Sequence, residues 1–194
     1  MDVDKISLSI KNAAQHLFRR YGYHKTSVNE IAAKANLAKA TIYKYFESKE
    51  LILNAIIMDY LEKHIQEIAD SVDPKQSKLS VEEISSLILK TSRLTYTACN
   101  EFIGWDFIRE SANAQAFLKN LSTEIESLIM DLVMRVRNVE DKSDQARRIQ
   151  FLVTASKSIV FSFAFTSVSD ADVKKNFIAF RNEILPYLIR GAFA

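Results

Sequence analysis

Three glycines and two prolines in 194 residues constrain this chain more than any motif it carries. Sheets and hairpins need turn residues at short intervals, because few residue types supply the required backbone angles cheaply. Gly22, Gly104, Gly191, Pro74 and Pro186 are too few and too scattered for that. Apolar residues recur at spacings of three and four, the period of a helix with one buried face. An all-α fold is expected, and a chain of this length can bury a proper core in one or two domains.

Composition narrows the function classes. The single Cys99 excludes an intramolecular disulfide and a cysteine-based zinc cage, and no cofactor is expected. The start MDVDKISLSIKNAA has no cationic segment followed by an apolar run, which points to the cytoplasm. Residues 149–168 are the one stretch of membrane-span length with little charge. Lys157 near its centre, with Gln150, Thr154 and several serines, argues against lipid exposure. Charge is unevenly placed: nine of the 26 Lys/Arg but only five of the 24 Asp/Glu lie in residues 1–50, a net of +4 against +2 for the whole chain. A polyanion would be met at the amino-terminal end.

That end holds the stretch SVNEIAAKANLAKATIYKYF, residues 27–46. Val28, Ile31, Ala32 and Ala35 form the apolar stripe of a short helix. Ser27 predicts its N-cap, and Glu30 three residues later completes a capping box. Asn36, which tolerates the left-handed region, predicts the turn. A second short helix restarts near Ala38 with Ile42 and Phe46 inward, leaving Lys39, Ala40, Thr41, Tyr43, Lys44 and Tyr45 on or near its outer side. Two short helices around a tight turn, the second offering amines, hydroxyls and phenols without a carboxylate, suit a DNA groove. Ahead of them Ile6, Ile10, Ala13, Ala14, Leu17, Phe18 and Tyr21 make an amphipathic helix that Gly22 ends.

Phe18, Gly22, Tyr23, Thr26, Ser27, Ile31 and Ala32, then LAKATIYKYF and SKELI, resemble the DNA-binding domain of the TetR family of transcriptional regulators. The likeness covers roughly the first third of the chain. Asn36 stands where the family usually has the turn glycine. Ala38 stands where it has serine or threonine, forgoing a cap worth about 1 kcal/mol. The resemblance implies a helix-turn-helix DNA-binding domain over residues 1–47 and a helical effector-binding and dimerisation domain over 48–194. It also implies a repressor that binds a palindromic operator as a homodimer and is released by a small molecule. On this reading Lys44 and Thr41 address base edges and Ala40 a thymine methyl. Lys39, Tyr43, Tyr45 and Lys49 address phosphates, and Thr26 and Ser27 hold a phosphate at a helix N-terminus.

The rest of the chain is helical in period and thin in chemistry. Ser48 opens a long helix with Leu51, Ala55, Met58, Ile65 and Ile68 along its expected inner stripe. Residues 71–80, with Pro74, read as a loop, and Ser80 with Glu83 as a second capping box. Helices follow over 84–98, 102–110 and 114–136, with a polar turn at 138–145. In the next helix Ile149, Leu152, Val153, Ser156, Val160 and Phe163 form one face and Phe151, Ala155, Ser158, Ser162 and Phe165 the opposite one. In the last, Val173, Phe177, Phe180, Ile184 and Leu188 form a stripe that Ile178, Leu185 and Ile189 widen. Two apolar faces mean two neighbours, either within a monomer core or across a four-helix interface; the dimer is the expectation.

The resemblance further implies a pocket among the middle helices for a hydrophobic or aromatic effector. Tyr60, His64, Tyr96, Cys99, Phe102, Trp105, Phe107 and Phe117 are candidates to line it. Two other readings compete. One is a constitutive DNA-binding protein without a sensor; the other is a helical enzyme with Cys99 as nucleophile. The enzyme reading lacks support, since His16, His24 and His64 all precede Pro74 and no HExxH or paired-carboxylate spacing is present. No enzymatic activity is expected.

Overall fold

A computed structural model describes residues 3–71, 80–104, 112–137 and 144–193. These residues are almost wholly helical, with no strand among them. The helices are α1 (Val3–Tyr21), α2 (Val28–Ala35), α3 (Lys39–Tyr45), α4 (Lys49–Asp70), α5 (Val81–Phe102), α6 (Ala112–Arg137), α7 (Asp144–Thr166), α8 (Asp170–Ala179) and α9 (Leu185–Phe193). A five-residue π-helical segment, Phe180–Ile184, joins the last two. The chain forms two compact units, Met1–Leu61 with Thr97–Leu121, and Glu62–Tyr96 with Ser122–Ala194. Most of the expected loop over 71–80, of the helix over 102–110 and of the turn over 138–145 lies outside the described residues; Phe102 instead ends α5, and residues 144–145 already belong to α7.

In the first unit α1 packs on α2, and α2 on α3. Ile10, Ala14, Phe18, Ile31, Ala32 and Ile42 are buried, the apolar stripes of three short helices closing on one another. Tyr21, expected inside, is exposed beneath the Arg20 guanidinium, and Tyr23 takes the inner place. Gly22 is the reason. At φ 84 it turns the chain back, so the Tyr23 ring meets Phe18 edge-on at 5.3 Å. In α4 the buried row is Ile52, Leu53, Ile56, Ile57, Leu61 and Ile65, while Leu51 is exposed. LILNAII is apolar on two adjacent phases, and over these first two turns packing selected the phase one residue on from the expected one, while Ile65 further along is buried as expected. Side chains this deep contribute about 1.5–3 kcal/mol each.

In the second unit the expected inner face of α7 is buried throughout: Ile149, Leu152, Val153, Ser156, Val160 and Phe163. Helix α7 is also the one described helix long and apolar enough to cross a membrane by length and composition. Its Lys157 is half-buried and paired with Glu126 of α6, whose carboxylate also accepts from the Thr154 hydroxyl. The second capping box forms as expected: the Ser80 N–H donates to Glu83 at 2.7 Å, and the Glu83 N–H to Ser80 Oγ at 3.2 Å.

At the C-terminus the expected stripe breaks after Phe180. Phe177 and Phe180 are buried, but the next buried positions are Leu185, Ile189 and Ala192, one residue later than a continuous α-helix would place them. The π segment supplies that extra residue, with the Leu185 N–H reaching the Phe180 carbonyl. Pro186 is the local cause: lacking an N–H and bulky toward the preceding turn, it is accommodated by widening that turn.

Candidate nucleic-acid interface

The site is built on α2, the turn and α3. Ser27 caps α2 with its hydroxyl accepting from the Glu30 N–H at 3.3 Å, while the Ser27 N–H donates to Glu30 Oε2 at 2.7 Å. Hydrogen bonds from the Ser27 backbone and side chain hold the exposed Glu30 carboxyl below the usual carboxylate range. Asn36 ends α2 in the left-handed region (φ 54, ψ 45), and its N–H and that of Leu37 close the last turn on Ala32 and Ala33. Ala38 precedes α3 without a side-chain cap, as its methyl dictates.

With Ile42 buried as the anchor of α3, Lys39, Ala40, Tyr43 and Lys44 are exposed and Thr41 is half-buried. The Lys39 ammonium lies 5.9 Å from the centre of the Tyr43 ring, so the two share one side of the helix. No carboxylate interrupts this surface within α3. Tyr45 is half-buried and has less of its phenol to offer.

Three expected phosphate contacts are placed otherwise. Thr26 is buried, and its hydroxyl donates to the Gly22 carbonyl at 3.0 Å, because a sealed hydroxyl beside a turn takes the carbonyl the turn leaves open. The Ser27 hydroxyl donates to Glu30 at 2.7 Å, so a phosphate there would have to displace a carboxylate. The half-buried Lys49 spends two of its three donors on the carbonyls of Tyr23 (2.9 Å) and Thr26 (2.8 Å), over the Tyr23 ring at 4.1 Å. Burial lowers its pKa, partly offset by the carboxylates of Glu50 and Glu30. The Tyr23 hydroxyl donates to Glu50 at 2.8 Å, and burial with that carboxylate pushes the phenol far above its usual range. Burial works to raise the Glu50 carboxyl, but hydrogen bonds from Tyr23, its own N–H and Ser48, with the Lys49 charge, bring it below the ordinary value. Lys49 therefore stitches the start of α4 to the loop that delivers α2, a role the sequence did not disclose.

The effector candidates divide between the units. Tyr60, Cys99, Phe102 and Phe117 belong to the first, His64 and Tyr96 to the second, and Trp105 and Phe107 lie outside the described residues. Phe102 is buried against Tyr60, ring centres 5.5 Å apart, and beneath the Arg19 guanidinium, which also pairs with Glu101 at 2.6 Å. Tyr96 meets Phe177 at 5.7 Å. Cys99 is fully buried, and burial pushes its thiol up to about 12, so no thiolate is available at neutral pH. One described cavity of the second unit, between α5, α6 and α7, is lined by none of these residues. Its wall includes Thr91, Ser92, Thr95, Ser156 and Lys157, small polar side chains on apolar stripes that periodicity alone files as core.

Of the dimerisation candidates, Phe151 (66% exposed), Phe165 (60%), Ser158 and Ser162 face outward and Ala155 is half-buried. Phe177 and Phe180 do not. Both pack on Phe163 inside the unit, at 5.2 and 6.4 Å between ring centres, and no second copy can reach them. Ile184 is exposed and Leu188 half-buried, turned out by the π segment with Tyr187 (69% exposed).

A capped, tightly turned helix pair with a cationic, carboxylate-free outer helix defines a helix-turn-helix DNA-binding protein. Residues 10–56 match the profile of the bacterial regulatory proteins of the tetR family. The chain is 24% identical over 193 residues to the fatty acid metabolism regulator protein of Bacillus subtilis, covering 95% of this chain and 94% of that one. Its fold resembles a TetR-family regulator from Streptomyces coelicolor (TM-score 0.65, 14% identity, 97% and 98% covered). It likewise resembles the regulator FadR from Bacillus subtilis in complex with stearoyl-CoA (TM-score 0.55, 20% identity, 95% and 98% covered). The chain thus carries at residues 10–56 a helix-turn-helix that matches the tetR-type regulators and, along nearly its whole length, resembles such regulators in fold.

Proposed function

We propose that the chain is a repressor that binds a two-fold operator as a homodimer through residues 1–47 and releases it when a small molecule binds within residues 48–194. The outer face of α3 carries this reading: Lys39, Ala40, Tyr43 and Lys44 stand exposed on a helix anchored by a fully buried Ile42. Lys44 and Thr41 read base edges, Ala40 approaches a thymine methyl, and Lys39 and Tyr43 hold phosphates. Tyr45 and the third donor of Lys49 reach the backbone at the margin. Lys49, Thr26 and Ser27 chiefly fix the loop and the start of α2. Pairing uses Phe151, Ala155, Ser158, Ser162 and Phe165 of α7 with Ile184 and Leu188, an apolar outer surface that favours a second copy. The effector is apolar, and acyl chains are the first class to screen, given the stearoyl-CoA complex of the Bacillus subtilis regulator. The protein works in the cytoplasm, needs no cofactor and performs no catalysis.

Selection of bound sequences from a random duplex pool tests the reading. The expected result is a palindrome whose half-sites lie about one helical turn apart, or a multiple of that. Enrichment of a single unrepeated half-site, or of nothing at low salt, overturns it.

A further inference from the structure

Hydroxyls on apolar helices normally turn back to their own backbone. Thr91 donates to the carbonyls of Leu87 (3.0 Å) and Ile88 (3.1 Å), Ser158 to Thr154 (2.8 Å), Ser162 to Ile159 (2.6 Å) and Thr166 to Ser162 (3.1 Å). Thr95 and Ser156 break the habit. Both are sealed from solvent, at 4% and 2% exposure, and neither hydroxyl has a partner among the described residues. They come from different helices, α5 and α7, and line the same crevice in the second unit. A buried hydroxyl left without a partner is costly, so two of them converging on one space point to something that fills it.

The crevice sets the chemistry of the occupant. Ile88, Ile129, Val153 and Val160 give it apolar walls. Lys157 also lines it, but its ammonium is committed to the Glu126 carboxylate and, at 3.4 Å, to the Ser122 carbonyl. Burial raises the Glu126 carboxyl less than the Lys157 and Thr154 hydrogen bonds and the Lys157 charge together lower it, which holds it below the usual carboxylate range against Lys157. An anionic group would have to break this pair. The crevice measures about 310 Å³ with its mouth included, and its depth has room for roughly one water molecule.

We propose that this crevice binds a small uncharged molecule, its apolar body against Ile88, Ile129, Val153 and Val160 and its one hydroxyl or carbonyl oxygen met by the hydroxyls of Thr95 and Ser156. The half-buried Phe161 completes the wall. The inference rests on the sensor reading above and gives it a location and, in place of an acyl chain, a smaller ligand class.

The full chain is titrated with four rings of like size: cyclohexanol, cyclohexanone, methylcyclohexane and cyclohexanecarboxylate. The first two bind, at least about tenfold tighter than the others, the worth of one hydrogen bond. Thr95→Val and Ser156→Ala each raise the Tm of the free protein by about 2–4 °C by removing an unmatched hydroxyl, and each weakens cyclohexanol about tenfold. Methylcyclohexane binding as tightly as cyclohexanol, or cyclohexanol unaffected by both variants, overturns the proposal. So does a lower Tm in both variants, which marks a resident water as the partner of the hydroxyls. Operator affinity in the same samples separates the two readings. Cyclohexanol that binds without releasing operator leaves the site standing and removes the sensor; intact operator binding with no ring bound removes the site alone.

Discussion

The α2–α3 pair and the closing helices α7–α9 settle their polar groups and their faces in opposite ways. In α2–α3 the ends of α2 are closed from within: Ser27 and Glu30 cap its start, Asn36 turns its finish, and Lys49 holds the loop before it. Its outer face is polar and cationic, content in water and ready for a polyanion. In α7–α9, Phe151, Phe165 and Tyr187 stand in water while two hydroxyls on the inner side of α5 and α7 stand without partners. The first region is locally complete and has one use. The second is left open, and on the readings proposed above a second copy completes its surface and a small molecule its crevice.

Substitutions can break or sharpen this contrast. The largest effect belongs to Phe180→Ala, which empties the packed side of the closing helices and costs about 3–5 kcal/mol, read as a fall in the denaturation midpoint. Phe151→Ser with Phe165→Ser should leave that midpoint of the monomer nearly unchanged and weaken self-association at least about tenfold by sedimentation, since a buried aromatic is worth more than that at an interface. An unchanged association constant would mean the outer row of α7 is not the pairing surface.

On the other side of the contrast, Lys44→Ala should lose about 1–3 kcal/mol of specific binding and relax one operator position, measured by competition among single-base variants. Lys39→Ala and Lys49→Met separate contact from placement. Removing a phosphate contact lowers the salt slope of log K by about 0.9, whereas loosening the loop weakens binding at an unchanged slope. Lys39 should show the first pattern and Lys49 the second; the reverse would return Lys49 to the phosphate contacts. The smallest effect is Ser27→Ala, about 1 kcal/mol of stability at neutral pH. The box depends on an ionised Glu30 whose pKa is lowered by folding, so its stabilisation is present above the unfolded carboxylate pKa and lost as pH falls through the folded one. The gap between wild type and variant should therefore close on acidification.

What the sequence disclosed follows the same divide. The caps of α2, the Asn36 turn and the outward row of α3 were legible because each depends on residues within four positions of one another. Tyr21 and Tyr23 exchanged places because a single glycine angle decides which ring turns inward, and both are aromatic. The start of the α4 row slipped by one because LILNAII satisfies two phases equally. Lys49 read as a free cation because its acceptors are backbone carbonyls more than twenty residues away, which no side-chain pattern announces. Thr95 and Ser156 read as core for a related reason, since a helical hydroxyl usually serves itself.

The widened turn at Phe180–Ile184 makes the outward surface of the last helix depend on one surplus residue. Closing that turn to ordinary α-helical pitch at unchanged length would rotate everything downstream by about 100°, carrying Leu185 and Ile189 outward and Ile184 and Leu188 in. On the proposed pairing, the face offered to a second copy can thus be rewritten by a change of pitch that leaves every surface side chain as it was. Paralogues sharing one cell could be kept from pairing by the same step.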